Sequence, residues 1–228
     1  MEYTELTTYR YERKFLVEEL SGQQVQTLVK LHPAMFKQTY PPRYVNNIYL
    51  DTASMDYYYE NVNGVPQRRK VRIRWYGELF GEIHSPILEY KIKDGLVGTK
   101  ESYKLPDFHL TEAFDQGQFL QTLAKGSPTL VSYHLRELDA VLLNRYYRWY
   151  YATPDGRYRV TVDTEMCFYH IQRNGNTFRH HAHNYQNIIV ELKYDSDHDP
   201  HADRVARQFP FSVTKNSKYV EGIERVYL

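Results

Sequence analysis

Two neighbouring stretches decide the fold: QRRKVRIRWYG at residues 67–77 and SPILEYKIKDG at residues 85–95. Both alternate apolar and charged side chains across a Gly-containing connection, a pattern that predicts a β-hairpin. Residues two apart in a strand share a face. The basic and apolar residues of the first stretch therefore fall on opposite faces, with Arg68, Lys70, Arg72 and Arg74 on one and Val71, Ile73 and Trp75 on the other.

This concentration of positive charge is local, because the chain of 228 residues has 29 Lys+Arg against 28 Asp+Glu. A net charge of +1 argues against binding driven by overall basicity, so no nucleic-acid partner is expected. The single cysteine, Cys167, excludes an internal disulfide framework and is typical of a reducing compartment, which predicts a cytoplasmic protein. The charged first residues and the lack of a long apolar run predict neither a signal peptide nor a membrane span.

Runs of predicted strands are interrupted by separate groups of helices, without regular alternation. This order predicts an α+β fold with a largely antiparallel sheet, and the lack of repeats or linkers predicts a single domain over residues 1–228. Strands are predicted at 9–17, 44–51, 67–77, 85–95, 100–105, 144–152, 157–164, 166–172 and 185–195. Helices are predicted at 21–31 with Ser21 as the N-cap, at 52–64 with its end near Gly64, and at 111–125, 132–142 and 201–209. About eight strands in one domain could close into a barrel.

The charged faces of the other predicted strands are also mostly basic. Alternation in a single strand is typical of any antiparallel sheet with one solvated face. Several basic faces together indicate an anion site, because like charges repel without a counter-ion and the arginine fork matches phosphate oxygens. A few carboxylates among them, such as Glu89 and Glu191, predict a divalent cation as well, since Mg²⁺ and Mn²⁺ prefer oxygen ligands.

Seven short motifs follow one another along the chain: RYERKF (10–15), RIRWY (72–76), LEYKIK (88–93), YYRWYY (146–151), RVTVDT (159–164), VELKY (190–194) and KNSKY (215–219). Their order resembles the VTC domain, the polyphosphate polymerase domain of the vacuolar transporter chaperone complex. That domain is one of the triphosphate tunnel metalloenzymes of the CYTH-like superfamily. The resemblance implies an eight-stranded antiparallel closed β-barrel, a triphosphate tunnel with helices packed on its outside.

The resemblance also implies the site residues. The matching phosphate-binding positions are Arg10, Lys14, Arg72, Arg74, Lys91, Arg148, Arg159, Lys215 and Lys218. The matching metal positions are Glu191, Glu12 and Glu89, with Mn²⁺ or Mg²⁺ as the ion. The residues expected to carry catalysis are Arg72, Arg74, Lys91 and Glu191. Arg10 stands where the hydrolytic members have glutamate, which favours the VTC branch over the standard triphosphatases.

The implied reaction is metal-dependent phosphoryl transfer on a linear polyphosphate or triphosphate, with the ATP γ-phosphate extending the chain. Since the same tunnel could deliver phosphate to water, an inorganic triphosphatase or polyphosphatase is one alternative. A non-catalytic module that binds polyphosphate or an inositol phosphate and an RNA 5′-triphosphatase are two others. With no membrane segment expected in the sequence, a membrane partner protein is compatible with this interpretation.

The tract RHHAH at residues 179–183 suggests a further alternative, a zinc site. Histidine-rich tracts can bind zinc, but this spacing matches no standard zinc pattern. The tract also stands between predicted strands, near Asn and Gly residues. We therefore predict a solvated loop at 180–183.

Overall fold

The fold is α+β, with one large antiparallel sheet and helices packed around it, which confirms the predicted class. The computed structural model describes residues 10–95 and 97–228. Its strands are β1 (Arg10–Val17), β2 (Lys37–Asp51), β3 (Gln67–Tyr76), β4 (Gly81–Ile83), β5 (Ile87–Asp94), β6 (Val97–Lys104), β7 (Phe108–Leu110), β8 (Asp139–Ala152), β9 (Tyr158–His170), β10 (His181–Asn184) and β11 (Ile188–Asp195). Its helices are α1 (Gly22–Lys30), α2 (Asp56–Val62), α3 (Gln116–Lys125), α4 (Thr129–Glu137), α5 (Asp199–Arg207) and α6 (Lys218–Tyr227).

The main sheet has the strand order β10-β9-β11-β1-β6-β5-β3-β2-β8, and β8 also pairs with β9. The pairings thus lead from β9 through the sheet and back to β9. The pairing of β1 with β6 is short, because among the residues described these strands share only the pair Arg10–Gly98. The large antiparallel sheet is therefore established, while its closure into a barrel stays a prediction.

The opening hairpin forms as predicted. Strands β3 and β5 pair antiparallel, with Arg72 opposite Glu89. The short β4 between them leaves the hairpin and pairs with β7 in a second, two-stranded sheet. On β3, Ile73 and its apolar neighbours are buried. Burying such a side chain contributes about 1.5–3 kcal/mol, and a slip of one residue would expose the whole set, so the apolar face fixes the direction of the basic face.

Helix α6 packs tightly on the sheet at the end of the charged face. A Cβ added to Gly222 would lie 2.5 Å from Leu142 Cδ2 and 2.6 Å from Phe168 Cδ1, so only glycine allows this approach. In the first turn of α6, the Tyr219 hydroxyl donates a hydrogen bond to the buried carboxylate of Asp51. These contacts fix the start of α6 relative to the sheet.

Local signals place the other helices. Ser21 caps α1 as predicted: its Oγ accepts a hydrogen bond from Gln24 N at 3.3 Å, and its backbone N–H donates to Gln24 Oε1 at 2.8 Å. Gly64 follows α2 with a φ of 68°, which suits the left-handed turn predicted after this helix. In the part of the chain that the structure describes, no helix is both long enough and apolar enough to cross a lipid bilayer.

The helix predicted over 132–142 is wrong at its C-terminal end. Helix α4 ends at Glu137, and β8 begins at Asp139. The four residues 140–143 are all buried, because β8 pairs with β2 and β9 along its edges while its side chains pack in cores shared with α3 and α6. A helix would bury only one stripe of such a run, whereas a strand with cover on both faces buries all of it. Similarly, β2 begins at Lys37 and not at residue 44.

The loop predicted at 180–183 is also wrong. His181–Asn184 form β10, an edge strand that pairs antiparallel with β9. His181 and His183 alternate with Ala182 and stay exposed, so the polar tract satisfies its backbone in the sheet while its rings face solvent. Within residues 10–95 and 97–228, no three His, Cys, Asp or Glu side chains are grouped to hold a metal ion, and this applies to the tract as well.

Candidate functional site

One face of the sheet gathers a group of ionised side chains that we call the charged cluster. Its cations come from six strands and the first residue of α6, and they outnumber its carboxylates. Its cations are Lys14, Lys70, Arg72, Arg74, Lys91, Lys100, Arg148, Lys193 and Lys218, and its carboxylates are Glu12, Glu89, Asp163 and Glu191.

Strand register brings opposite charges together. On β1 and β11, Lys14 lies opposite Glu191 and Glu12 lies opposite Lys193. Cross-strand pairs of opposite charge stabilise a sheet, whereas like charges directly opposite destabilise it. The hairpin contains both kinds of pair, because Lys70 lies opposite Lys91 next to the favourable pair of Arg72 and Glu89.

Glu89 anchors the two arginines of the hairpin. Its Oε2 lies 2.6 Å from Arg72 Nη2 and 3.6 Å from Arg74 Nη1, and its Oε1 lies 3.1 Å from Lys100 Nζ. Burial alone would raise the pKa of Glu89, but these cations outweigh it and hold the pKa well below its ordinary value. The same carboxylate keeps the pKa of the buried Arg72 raised. Glu89 is therefore ionised and positions both guanidinium groups.

A second centre forms around Asp163, which is fully buried. Arg148 donates to its two oxygens, from Nε at 2.5 Å and from Nη2 at 2.7 Å, and Lys218 Nζ lies 2.6 Å away. Burial is outweighed by these two cations, so the pKa of Asp163 is lowered. The Tyr146 ring lies under Arg148 and Lys218, and its hydroxyl accepts a hydrogen bond from Arg74 at 3.1 Å, which joins the two centres.

Glu191 is the third centre. Four cations surround its oxygens: Lys193 at 2.9 Å, Lys14 at 3.4 Å, Arg148 at 3.8 Å and Lys218 at 3.9 Å. Burial opposes ionisation, but these charges hold the pKa of Glu191 well below its ordinary value. The carboxylate is therefore ionised despite its burial.

Lys91 lies next to this centre and bonds Glu12 at 3.0 Å. Burial lowers the pKa of Lys91 to about 8, although Glu12 opposes the shift. The pKa of Glu12 is itself lowered, because Lys91 and Lys193 outweigh its burial.

Most of the predicted site residues lie together in this cluster: Lys14, Arg72, Arg74, Lys91, Arg148, Lys218, Glu12, Glu89 and Glu191. Two lie at its edge, since Arg159 is 41% exposed and 3.9 Å from Asp195, while Lys215 is exposed on the segment before α6. The backbone of Arg10 pairs with Asp195 and Gly98, but its side chain lies outside the described residues. The roles of these residues stay predictions.

Sequence reasoning missed several members of the cluster. Strand parity could have found Asp163, which falls on the same face as Arg159, and Lys193, two residues after Glu191. No comparable sequence signal identified Lys100 on β6. Lys70 was on the correct face of the hairpin, but nothing in the sequence showed its partner, Ser217 Oγ at 2.8 Å, because that contact depends on where α6 begins.

The carboxylates fit a divalent ion only in part. Both oxygens of Glu89 are engaged by cations. Glu12 and Glu191 lie on paired strands. They are close enough that the negative charge of Glu191 acts to raise the pKa of Glu12, although Lys91 and Lys193 outweigh this effect and the net shift is downward. At phosphate sites, Mg²⁺ is held by one or two carboxylates together with phosphate oxygens. Glu12 and Glu191 could act in this way, but an ion there would have to displace Lys91 from Glu12 and Lys193 from Glu191. The metal itself remains a prediction.

Comparison with known proteins agrees with the sequence motifs. The family model described as VTC domain matches residues 9–227. A solved structure of a “putative adenylate cyclase” from Vibrio parahaemolyticus is similar, with a TM-score of 0.53 at 12% identity, covering 96% of this chain and 99% of the other. A second protein of that description, from Bacillus halodurans, has a TM-score of 0.51 at 14% identity, covering 97% and 99%. No curated protein matches the sequence.

Proposed function

The chain belongs to the VTC domain family, and from this we propose that it binds a linear polyphosphate or triphosphate along the charged cluster and transfers a phosphoryl group on it. The favoured direction is chain growth, with the ATP γ-phosphate passing to a polyphosphate end. The cytoplasm remains the expected compartment, and the sheet is expected to enclose the substrate as a tunnel.

One observation carries the proposal: cations converge from several strands on one face and outnumber the carboxylates beside them. The arginines at positions 72, 74 and 148 are held by acids and by Tyr146, so their positions are fixed before any ligand arrives. Phosphoryl transfer depends mainly on positioning and on neutralising charge that develops on phosphate oxygens. A preorganised set of guanidinium and ammonium groups meets that requirement.

The roles follow from position. Arg72, Arg74 and Lys91 would hold consecutive phosphates and neutralise the group in transfer. Neighbouring phosphates would contact the remaining expected residues, Arg10, Lys14, Arg148, Arg159, Lys215 and Lys218. A divalent ion, Mn²⁺ or Mg²⁺, would supply further charge neutralisation when bound. Glu191 and Glu12 would hold it.

The test is incubation of the purified protein with ATP and Mn²⁺, followed by separation of the phosphate products. Long-chain product supports the proposal, and release of orthophosphate alone from ATP or tripolyphosphate supports the hydrolase instead. Binding of tripolyphosphate without turnover supports a non-catalytic module. Absence of both binding and turnover contradicts a phosphate site in the charged cluster.

Two variants locate the chemistry. We expect Arg72→Ala and Glu191→Gln to remove turnover while the far-ultraviolet circular dichroism stays native. The matched controls are Arg136→Ala and Glu137→Gln, which change the same residue types at exposed positions of α4. Full activity in the folded Arg72 and Glu191 variants would place the reaction elsewhere.

A further inference from the structure

Lys70 is a cation of the charged cluster to which the proposed function gives no role. It lies on β3, half-buried, on the same face as Arg72. Its Nζ donates a hydrogen bond to Ser217 Oγ at 2.8 Å. In the described residues, no Asp or Glu oxygen lies within the 4.0 Å of an ion pair from this nitrogen. Among the described residues, the Lys70 amine therefore has a neutral hydrogen-bond partner and no carboxylate counter-ion.

The largest charge effects on the Lys70 amine come from four cations. These are Lys14 on β1, Arg68 and Arg72 on β3, and Lys91 on β5. Burial and these four charges lower the pKa of Lys70 well below its ordinary value. The Lys70 amine also contacts the start of α6, where Ser217 is the N-cap.

Three of these four cations differ from Lys70 in one respect. Lys14, Lys91 and Arg72 each have a carboxylate, at 3.4, 3.0 and 2.6 Å. A phosphate that binds them must compete with that carboxylate. At Lys70 nothing has to be displaced except a hydroxyl, which can itself donate to a phosphate oxygen. The arrangement favours an added anion at this position over the unliganded state.

We propose that Lys70 and Ser217 form a further phosphate subsite of the charged cluster, at which Lys70 takes up a proton as the anion binds. The proton leaves a hydronium ion or buffer acid in solvent and forms an N–H bond on Nζ; the ammonium then donates a hydrogen bond to a phosphate oxygen, and no bond of the phosphate is made or broken. This inference rests on the proposed function only for its ligand, a linear phosphate.

Isothermal titration with tripolyphosphate, in buffers of different ionisation enthalpy at about pH 9, measures affinity and proton uptake together. We expect Lys70→Met to weaken binding by about ten- to hundred-fold, the range for one charge-assisted hydrogen bond. Arginine keeps its proton at this pH, so Lys70→Arg should retain affinity while net uptake falls by up to about one proton per ligand. A structural role alone would not alter proton uptake in this way.

Lys125→Met is the matched control, because it removes the same charge at an exposed position of α3 and should leave both quantities unchanged. If the wild type binds tripolyphosphate and Lys70→Arg keeps the full proton uptake, or folded Lys70→Met keeps wild-type affinity, the subsite is refuted and the proposed function stands. If the wild type does not bind tripolyphosphate, both are refuted. Should Lys70→Met fail to fold, the proton uptake of Lys70→Arg decides the question.

Discussion

Neutralising Asp163 is predicted to cost much of the stability of the fold. Asp163 is fully buried and compensates both Arg148 and Lys218 at 2.5–2.7 Å. In Asp163→Asn the amide keeps one acceptor oxygen but loses the charge, so two buried cations lose most of their compensation. Removing one partner of a buried ion pair costs about 3–5 kcal/mol. For a chain of this size, that loss lowers the melting temperature by about 6–20 °C.

The assay is urea unfolding at neutral pH, followed by fluorescence and circular dichroism. Asp203→Asn is the matched control, because Asp203 also bonds an arginine, Arg13, at 2.5 Å but is 58% exposed. Exposed pairs contribute about 0–1 kcal/mol, so the control should change stability little. If both variants lose the same small amount, the buried cations do not depend on Asp163 and the argument for a preorganised cluster fails.

The pH dependence gives the same prediction a second readout. The pKa of Asp163 is lowered in the folded chain, so the folded state binds this proton less readily than the unfolded state. Its stabilisation is therefore complete above the unfolded pKa of about 3.9 and is lost as the pH falls below that value. Asp163→Asn should show a flatter loss of stability in acid than the wild type. Parallel acid profiles would contradict the assigned charge state.

Three further outcomes are expected. Gly222→Ala should destabilise the fold by about 1–3 kcal/mol, because its Cβ would overlap the two buried side chains beneath α6. Gly22→Ala is the control, since its Cβ would lie 3.5 Å from Thr164 Cγ2, an ordinary contact. Equal urea midpoints for the two variants would contradict the close packing. Tyr219→Phe should lose about 1.5–3 kcal/mol through its bond to Asp51, and an unchanged melting temperature would show that bond to be dispensable. Raising the salt concentration should weaken tripolyphosphate binding steeply, and salt-independent affinity would exclude the cationic site.

Much of the fold was available from strand parity. The faces of β3 and β5 followed from alternation alone, and they place Arg72 beside Glu89 as the register requires. Ser21 was likewise a local signal, complete within one helical turn. Such features depend on neighbours in sequence, which is why they could be predicted.

The errors arose where tertiary contacts override local pattern. The segment 138–142 resembles a continuing helix, but pairing with β2 and β9 at its edges and packing against α3 and α6 make it part of a strand. The tract at β10 resembles a loop until an edge of the sheet becomes available to it. In the site, the individual basic residues could be identified from the motifs, but their pairing could not, because Asp163 meets Lys218 only after α6 has packed on the sheet.

The contacts of β1 with the C-terminal part of the chain affect how the chain folds. Strand β1 pairs with β11, and Lys14 on β1 donates a hydrogen bond to the carbonyl of Asn216, a residue 202 positions away. Contacts of such long sequence separation are associated with slow folding, since the entropy of closing the loop is lost before the contacts form. Completing the sheet also gathers the charged cluster, in which cations outnumber carboxylates. A linear phosphate that binds only the finished arrangement would favour it by mass action, so refolding yields with and without tripolyphosphate should differ if the substrate also acts as a folding ligand.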